Sequence, residues 1–304
     1  MLGKSADFIL KAFAMRIILH AGVQCTDDER LLKTLLRNKE TFAKAGVATP
    51  HPKSYRTLLD KMLTNKNNPM TDENFLAIIL KDTIVQSHTV ILSNPLFFGS
   101  SKEVIGPKQL YPNAVKLTKQ FLHLFAEDDV NLYFSIRNPA SFLPSIFETS
   151  KLSDFSAFLK TKNSPEIRWS EFASRLRKAF PDLSIHIWCN EYSPFIWGQI
   201  LRQMAQLSAP QNIAGDFDLF AEIISDEGFE RFKAYVRTHP SLTLRQLRII
   251  MGAFAEKFGQ NDKIIEEIEA PGWDEALVQD LTERYDIDVR SIDKISTVRF
   301  ISPE

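Results

Sequence analysis

Cysteine is scarce in this chain of 304 residues, which contains only Cys25 and Cys189. Two cysteines so far apart in sequence do not provide the disulfide framework of a small secreted domain or a cysteine-rich zinc site. The six histidines also lack the H-x-x-x-H spacing that places two zinc ligands on one helix face. We therefore expect no metal, and we predict a reducing compartment, the cytoplasm, as the location.

Long apolar runs are missing too, since no stretch approaches the roughly 20 residues that a membrane-spanning helix needs. The first segment, MLGKSADFILKAFA, is interrupted by Asp7 and Lys11, which favours an N-terminal helix over a signal peptide. The net charge of −1 lacks the basic excess that is typical of nucleic-acid-binding proteins. We expect neither a membrane span nor a nucleic-acid partner, and the sequence leaves the oligomeric state open.

What the chain does contain is the alternation of an α/β protein. Four runs rich in β-branched, aromatic or leucine residues are typical of the buried strands of a parallel sheet. They are RIILHA (16–21), HTVILS (88–93), VNLYFSIR (130–137) and LSIHIWC (183–189). Segments of helical period separate them, which predicts right-handed crossovers and a doubly wound, mostly parallel sheet flanked by helices.

The last third of the chain differs, because strand-like runs stop near residue 197 and helical periods continue. We predict an α/β domain over residues 1–207 and a helical C-terminal subdomain or cap over residues 208–304. Residues 255–304 contain thirteen Asp or Glu and only six Lys or Arg. The simplest interpretation of this acidic region is a solvated helical surface, and a partner-binding surface is the alternative.

The turn after the first strand-like run, HAGVQCTDDER, has the layout of a phosphate-binding loop. A strand, a glycine turn at Gly22 and a helix would aim backbone N–H groups at an anion, and Thr26 offers a hydroxyl. However, the turn has no lysine and continues into three carboxylates, those of Asp27, Asp28 and Glu29. The alternative interpretation is that these acids cap the helix themselves.

A second candidate site is SIRNPASFLPS, which joins the third strand-like run to the next helix. Arg137 stands at the carboxyl end of the strand, where ligands bind in open α/β sheets. Together with the hydroxyl of Ser145, its guanidinium could clamp a phosphate. An arginine that pairs with a surface carboxylate is the equally open alternative.

These two stretches together resemble the sulfotransferase family, whose members use 3′-phosphoadenosine 5′-phosphosulfate. In that family a late strand ends in R-[DN]-P, with a serine eight residues after the arginine, and this element holds the 3′-phosphate. Arg137, Asn138, Pro139 and Ser145 match it at the same spacing. The resemblance covers roughly residues 15–207, and it implies a P-loop-type fold with the nucleotide at the carboxyl ends of the strands.

The family's first motif, H-x-G-x-x-K-T-G-T-T, cradles the 5′-phosphosulfate and is only partly present. His20, Gly22 and Thr26 match it, so the resemblance implies a cofactor loop made of Gly22, Val23, Gln24, Cys25 and Thr26. Cys25 stands at the lysine position and Asp27 at the second glycine, while Asp28 and Glu29 replace the two hydroxyl residues. The resemblance therefore implies a divergent member with a degenerate 5′-phosphosulfate loop.

Several further residues are candidates for the chemistry that the resemblance implies. His20 and His88 are the histidines that could act as a general base, and Lys102 or Lys108 could replace the lost loop lysine. Ser93 and Asn94 end a strand-like run and, with Trp188, could line the pocket of an acceptor, either a small molecule or a carbohydrate. Glu191, in IHIWCNEYSP, matches a glutamate motif of the family.

Two functions remain open at this stage. One is a sulfotransferase-like enzyme that transfers a sulfuryl group from phosphoadenosine phosphosulfate to an unknown acceptor. The other is a catalytically inactive relative on the same fold that binds a ligand, a polysaccharide or a protein partner. The resemblance implies 3′-phosphoadenosine 5′-phosphosulfate or adenosine 3′,5′-bisphosphate as the possible cofactor. The loss of the lysine bears on this choice, because that cation would stabilise the charge of the leaving phosphate.

Overall fold

The structure of the chain is a computed structural model. It describes residues 14–64, 71–81, 87–107, 109–159, 167–207, 213–266 and 268–303. Apart from Ala14, the predicted N-terminal helix lies outside these residues, as does Lys108.

Six parallel strands form one sheet in the order β2-β3-β1-β4-β5-β6. Their bounds are β1 Arg16–His20, β2 Val47–Ala48, β3 Thr89–Ser93, β4 Asp129–Ile136, β5 Ser184–Cys189 and β6 Val298–Phe300. The four strand-like runs of the sequence correspond to β1, β3, β4 and β5. The predicted α/β class with a parallel sheet is confirmed.

Helices connect the strands and cover the sheet. Their bounds are α1 Arg30–Arg37, α2 Lys39–Lys44, α3 Pro52–Thr64, α4 Asp72–Leu80, α5 Ala114–Leu124, α6 Pro139–Ser150, α7 Phe155–Leu159, α8 Trp169–Ala179, α9 Ser193–Ala205, α10 Asp218–Ile223, α11 Asp226–Thr238, α12 Leu244–Phe258, α13 Asn261–Ile264 and α14 Glu275–Ile292. Several begin where the sequence offers a cap. The side chain of Asn138, for example, accepts a hydrogen bond of 3.0 Å from the N–H of Ala140 at the start of α6.

The strands are buried on both faces, which explains their nearly continuous apolar sequences. In β1, Ile17 and Leu19 belong to a core shared with helices α3 to α8 and α14, while Ile18 points to the opposite face. There it packs in a second core with residues of α1, α2 and α9, among them Trp197. Helices therefore cover both faces of the sheet.

Elements from both sides of the predicted division at residues 207 and 208 take part in the sheet and its helical layers. Strand β6 extends the sheet beside β5, and α14 packs on α6 and α8. Only α10, α11 and α12 build a core of their own, around Phe220, Phe232 and Met251. The domain division itself stays a prediction. The positions of β6 and α14 in the α/β layers were not expected, because both are far in sequence from the other strands.

The strand order fixes where the chain changes direction. From β1 it runs outwards to β2, returns to β3 beside β1, and then crosses to β4 on the other side of β1. The crevice at such a switch point, beyond the carboxyl ends of the strands, is where ligands bind in open α/β sheets. The loops after β1, β3 and β4 meet there.

Candidate functional site

Arg137 is the central residue of the switch-point crevice. It follows β4, and only 13% of its side chain is exposed. Its Nε donates a hydrogen bond of 3.0 Å to the Oγ of Ser141, and its Nη1 donates to the carbonyl of Cys25 in the loop after β1. Its Nη2 donates to the carboxylate of Glu266. The guanidinium thus joins the β1 loop, helix α6 and the segment after α13.

Ser145, the second residue of the matched motif, is half-buried on α6. Its hydroxyl donates a hydrogen bond of 2.9 Å to the carbonyl of Ser141, one turn earlier in the same helix. Ser141, which the sequence did not single out, is the serine that contacts Arg137. Its position in the first turn of the helix that directly follows Arg137 was the signal that could have identified it.

Polar side chains hold the loop of residues 22–26 in place. The hydroxyl of Thr26 donates to the carbonyl of Val23 at 2.6 Å. The amide nitrogen of Gln24 donates to the carbonyl of Gly99 at 2.6 Å, and its amide oxygen accepts from the hydroxyl of Tyr111 at 2.6 Å. These side chains are thus engaged in fixing the loop against the segments that follow β3.

One of the three acids after the loop, Asp27, bonds to the start of the helix that follows. A carboxylate oxygen of Asp27 accepts a hydrogen bond of 2.9 Å from the backbone N–H of Leu31 in the first turn of α1. Glu29 pairs instead with Arg56 of α3. The self-capping interpretation is therefore confirmed for Asp27, whose negative charge lies at the end of the helix that attracts anions.

His20, Ser93 and Trp188 are brought together, but inside the core. The Nδ1 of His20 lies 3.0 Å from the Oγ of Ser93, and its ring stacks on Trp188 with centroids 6.0 Å apart. All three residues are at least 97% buried. Burial is the main cause that lowers the pKa of His20. Asn94 continues this cluster, since its N–H donates to the carbonyl of His20 at 2.9 Å.

His88 and Lys102 lie away from this group. His88 precedes β3, so roughly 16 Å of strand separates it from the carboxyl ends of the sheet. Its ring packs against Gly46, and its N–H donates to the carbonyl of that residue at 2.9 Å. Lys102 is exposed on a short turn of helix, residues 101–103, that contacts α6.

A cavity of about 1090 Å³ opens beside Arg137. Its polar wall includes Arg137, Glu191 and Glu266, and its apolar wall includes Phe195, Ile223 and Ile265. The residues of the β1 loop, Ser93 and Trp188 do not line it. Ser93 and Trp188, predicted to line an acceptor pocket, thus lie apart from this cavity at the strand ends.

Glu191, which matches the family's glutamate motif, fastens α14 to the ends of β4 and β5. One carboxylate oxygen accepts from the N–H of Asn138 at 2.7 Å, and the other accepts from the hydroxyl of Tyr285 at 3.0 Å. The side-chain amide of Asn138 also donates to the hydroxyl of Thr282 at 2.9 Å. Burial of the carboxyl group raises the pKa of Glu191, and these hydrogen bonds partly oppose that shift.

The residues that the structure describes contain no group of three or more His, Cys, Asp or Glu placed to hold a metal ion. None of their helices combines the length and the apolar character needed to cross a bilayer. Comparison of the chain with protein-family models, with curated proteins and with solved structures finds no match.

Proposed function

We propose that this chain is a sulfotransferase-like protein that binds a nucleotide of the adenosine 3′,5′-bisphosphate class at Arg137 and does not transfer a sulfuryl group. The observation that carries the proposal is the mostly buried guanidinium of Arg137 at the switch point, beside a large cavity. The order of the parallel strands around β1 supports a P-loop-type arrangement, and the matched motif supports the choice of ligand.

The donors of Arg137 explain why an anion is the favoured ligand. A buried guanidinium without a counter-charge is costly, so such a group is paired with a carboxylate or a phosphate. Ser141 and the carbonyl of Cys25 are neutral acceptors that orient the group without balancing its charge. The Nη2 edge, which contacts Glu266 at the cavity wall, is where a phosphate oxygen could bind.

The cavity has room for the rest of a nucleotide. Its volume of about 1090 Å³ is at the upper end of the range of small-molecule sites. Phe195, Ile223 and Ile265 give it an apolar wall on which a planar base could pack. Arg137 and this wall together fit a ligand that joins an anionic group to an apolar or aromatic body.

The loop after β1 argues against transfer of the sulfuryl group. Residues 22–29 contain no lysine or arginine, and the carboxylate of Asp27 is bound at the helix N-terminus. Cys25 cannot supply the missing cation, since a thiol is at most neutral, and burial raises its pKa further. Without a cation for the leaving phosphate, the transition state loses its main electrostatic stabilisation.

Calorimetric titration with adenosine 3′,5′-bisphosphate tests the proposal. We expect binding by the wild type, and a loss of at least about tenfold in affinity for Arg137→Ala, because a charge-assisted contact is removed. Arg290→Ala, at an exposed position of α14, is the matched control and should bind like the wild type. Circular dichroism would confirm that each variant is folded.

Two results would count against the proposal. Absence of binding heat for the folded wild type would overturn the nucleotide class. Turnover of 3′-phosphoadenosine 5′-phosphosulfate with a panel of hydroxylated acceptors would overturn the claim that transfer has been lost.

A further inference from the structure

We propose that Glu266 is a built-in competitor for the anion site: its carboxylate occupies the ligand position at Arg137 and must leave before an anionic ligand binds. The inference rests on the proposed function, whose site it regulates. It assigns a role to the acidic C-terminal region, where Glu266 follows the short helix α13.

The contact between Glu266 and Arg137 resembles the contact that an anionic ligand would make. Of the three groups that accept hydrogen bonds from Arg137, Glu266 is the only one with a negative charge. It lies on the wall of the cavity, and it comes from a segment 129 residues away in sequence. A carboxylate in this position makes the charge-assisted contact that a phosphate oxygen would make.

The two partners differ in burial, and this difference favours exchange. The side chain of Arg137 is 13% exposed, whereas that of Glu266 is 53% exposed. A carboxylate that is already half in water loses little when it leaves, since exposed ion pairs contribute little net stability. The buried guanidinium, by contrast, keeps its need for a counter-charge. Glu191 also interacts electrostatically with Arg137, but its two oxygens are bound to Asn138 and Tyr285. The site is therefore more stable with Glu266 or another anion on Arg137 than with neither.

The segment that carries Glu266 lies on the surface, where α13 also contacts α10. Residues 261–266 are all exposed, including Ile264 at 48% and Ile265 at 66%. The segment is anchored just before it, where the N–H of Gln260 donates to the carbonyl of Ile223 at 2.9 Å. Glu266 can therefore move away from Arg137 without uncovering a packed core.

Competition of this kind lowers the apparent affinity by the fraction of molecules in which the site is open. If Glu266 occupies the site about nine-tenths of the time, its removal tightens anion binding about tenfold. Glu266→Gln removes the charge with little change in shape. Asp262→Asn is the matched control, because Asp262 lines the same cavity from the same segment and forms no ion pair with Arg137.

The first measurement is the affinity for adenosine 3′,5′-bisphosphate in the wild type and both variants. We expect about tenfold tighter binding for Glu266→Gln and less than about twofold for Asp262→Asn. Equal tightening in both variants would indicate a general effect of charge and would overturn the competitor role. Unchanged affinity in Glu266→Gln would overturn it as well.

The second measurement does not depend on the nucleotide. Amide hydrogen exchange at Ile264 and Ile265, whose N–H groups donate to the carbonyls of Gln260 and Asn261, reports on the segment. We expect inorganic sulfate to speed exchange there in the wild type and to have no further effect in Glu266→Gln. If sulfate acts in this way but adenosine 3′,5′-bisphosphate does not bind, the result supports Glu266 as a competitor and overturns the proposal that the ligand is a nucleotide of this class. If sulfate has no effect on the wild type, the competitor role is wrong.

Discussion

The carboxylate of Asp27 accepts a hydrogen bond of 2.9 Å from the backbone N–H of Leu31 at the start of α1. A side chain of the protein thus occupies the position in which a phosphate-binding loop would hold its anion. The arrangement is the same in kind at Arg137, where Glu266 provides the negative charge. In this structure, both anion-attracting positions at the switch point are filled by the chain itself.

Replacement of Asp27 by alanine should therefore destabilise the fold. We expect Asp27→Ala to lower the free energy of unfolding by about 0.5–2 kcal/mol, because a cap and its favourable charge at the helix N-terminus are lost. Urea denaturation measures the change. Asp60→Ala, at an exposed position well inside α3, is the control and should stay within about 0.5 kcal/mol of the wild type. Equal stability of Asp27→Ala and the wild type would contradict the capping role.

The free energy of unfolding should decrease as the pH falls, because of the buried residue His186. This histidine of β5 is 3% exposed, stacks on Tyr133 at 4.0 Å, and has no hydrogen-bond partner for either ring nitrogen. Burial, aided by the charges of Arg299 and Arg16, lowers its pKa to about 4 from an ordinary 6.5. Between these values the unfolded chain binds a proton that the folded chain does not. Stability is therefore lost as the pH falls from about 6.5 towards 4.

Variants of His186 can isolate this contribution. His186→Phe preserves the stacked ring and removes the titration, so the slope of unfolding free energy against pH should decrease by about 1.4 kcal/mol per pH unit within this range. The slope comes from urea denaturation at a series of pH values. His123→Gln removes an exposed histidine of α5 and should leave the slope as it is. If His186→Phe kept the slope of the wild type, another group would be responsible for the dependence of stability on pH.

Asp288 of α14 should be a main support of the α/β layers. Its carboxylate accepts from the N–H groups of Trp169 and Ser170 at 2.6 and 3.1 Å, and from the hydroxyl of Ser170. It thus caps α8 from a distant helix. We expect Asp288→Ala to lower the free energy of unfolding by about 2–4 kcal/mol, because buried donors lose a charged acceptor. Asp286→Ala, at an exposed position of the same helix, should change it by less than about 0.5 kcal/mol.

The strands were predictable because burial on both faces leaves a continuous apolar signal in the sequence. β1, β3, β4 and β5 all show it, and the structure places a strand in each run. β6 was missed because it is an edge strand of three residues, VRF, whose side chains are only partly buried. A short edge strand depends on its partner β5, which lies more than 100 residues away, so its own sequence carries little signal.

The site was predictable only in part, because contacts between distant parts of the chain leave no local pattern in the sequence. Arg137 could be named because the carboxyl end of a parallel strand is a general ligand position. Glu266 could not, because its contact with Arg137 joins elements that no local pattern connects. His20 and Ser93 are brought together as neighbours on β1 and β3, but the sequence did not show that helices bury them.

Replacement of Gly22 tests whether the loop after β1 needs a glycine for packing or for the close approach of a ligand. Its φ of 92° lies in the left-handed region, and a Cβ at this position would lie 2.8 Å from the carbonyl oxygen of Pro95. The glycine is thus needed for packing between the loops after β1 and β3, with or without a ligand. We expect Gly22→Ala to lower the free energy of unfolding by more than about 1 kcal/mol, through backbone strain and overlap.

Gly252→Ala is the matched control for this prediction, because nothing lies within 4 Å of a Cβ there and the residue is inside helix α12. The same substitution should raise the free energy of unfolding by about 0.5–1 kcal/mol at that position, since alanine favours a helix. Thermal and urea denaturation of the ligand-free protein would measure both changes. If Gly22→Ala were as stable as the wild type, the glycine would serve close approach of a ligand instead of packing, and a phosphate role for the loop would regain support.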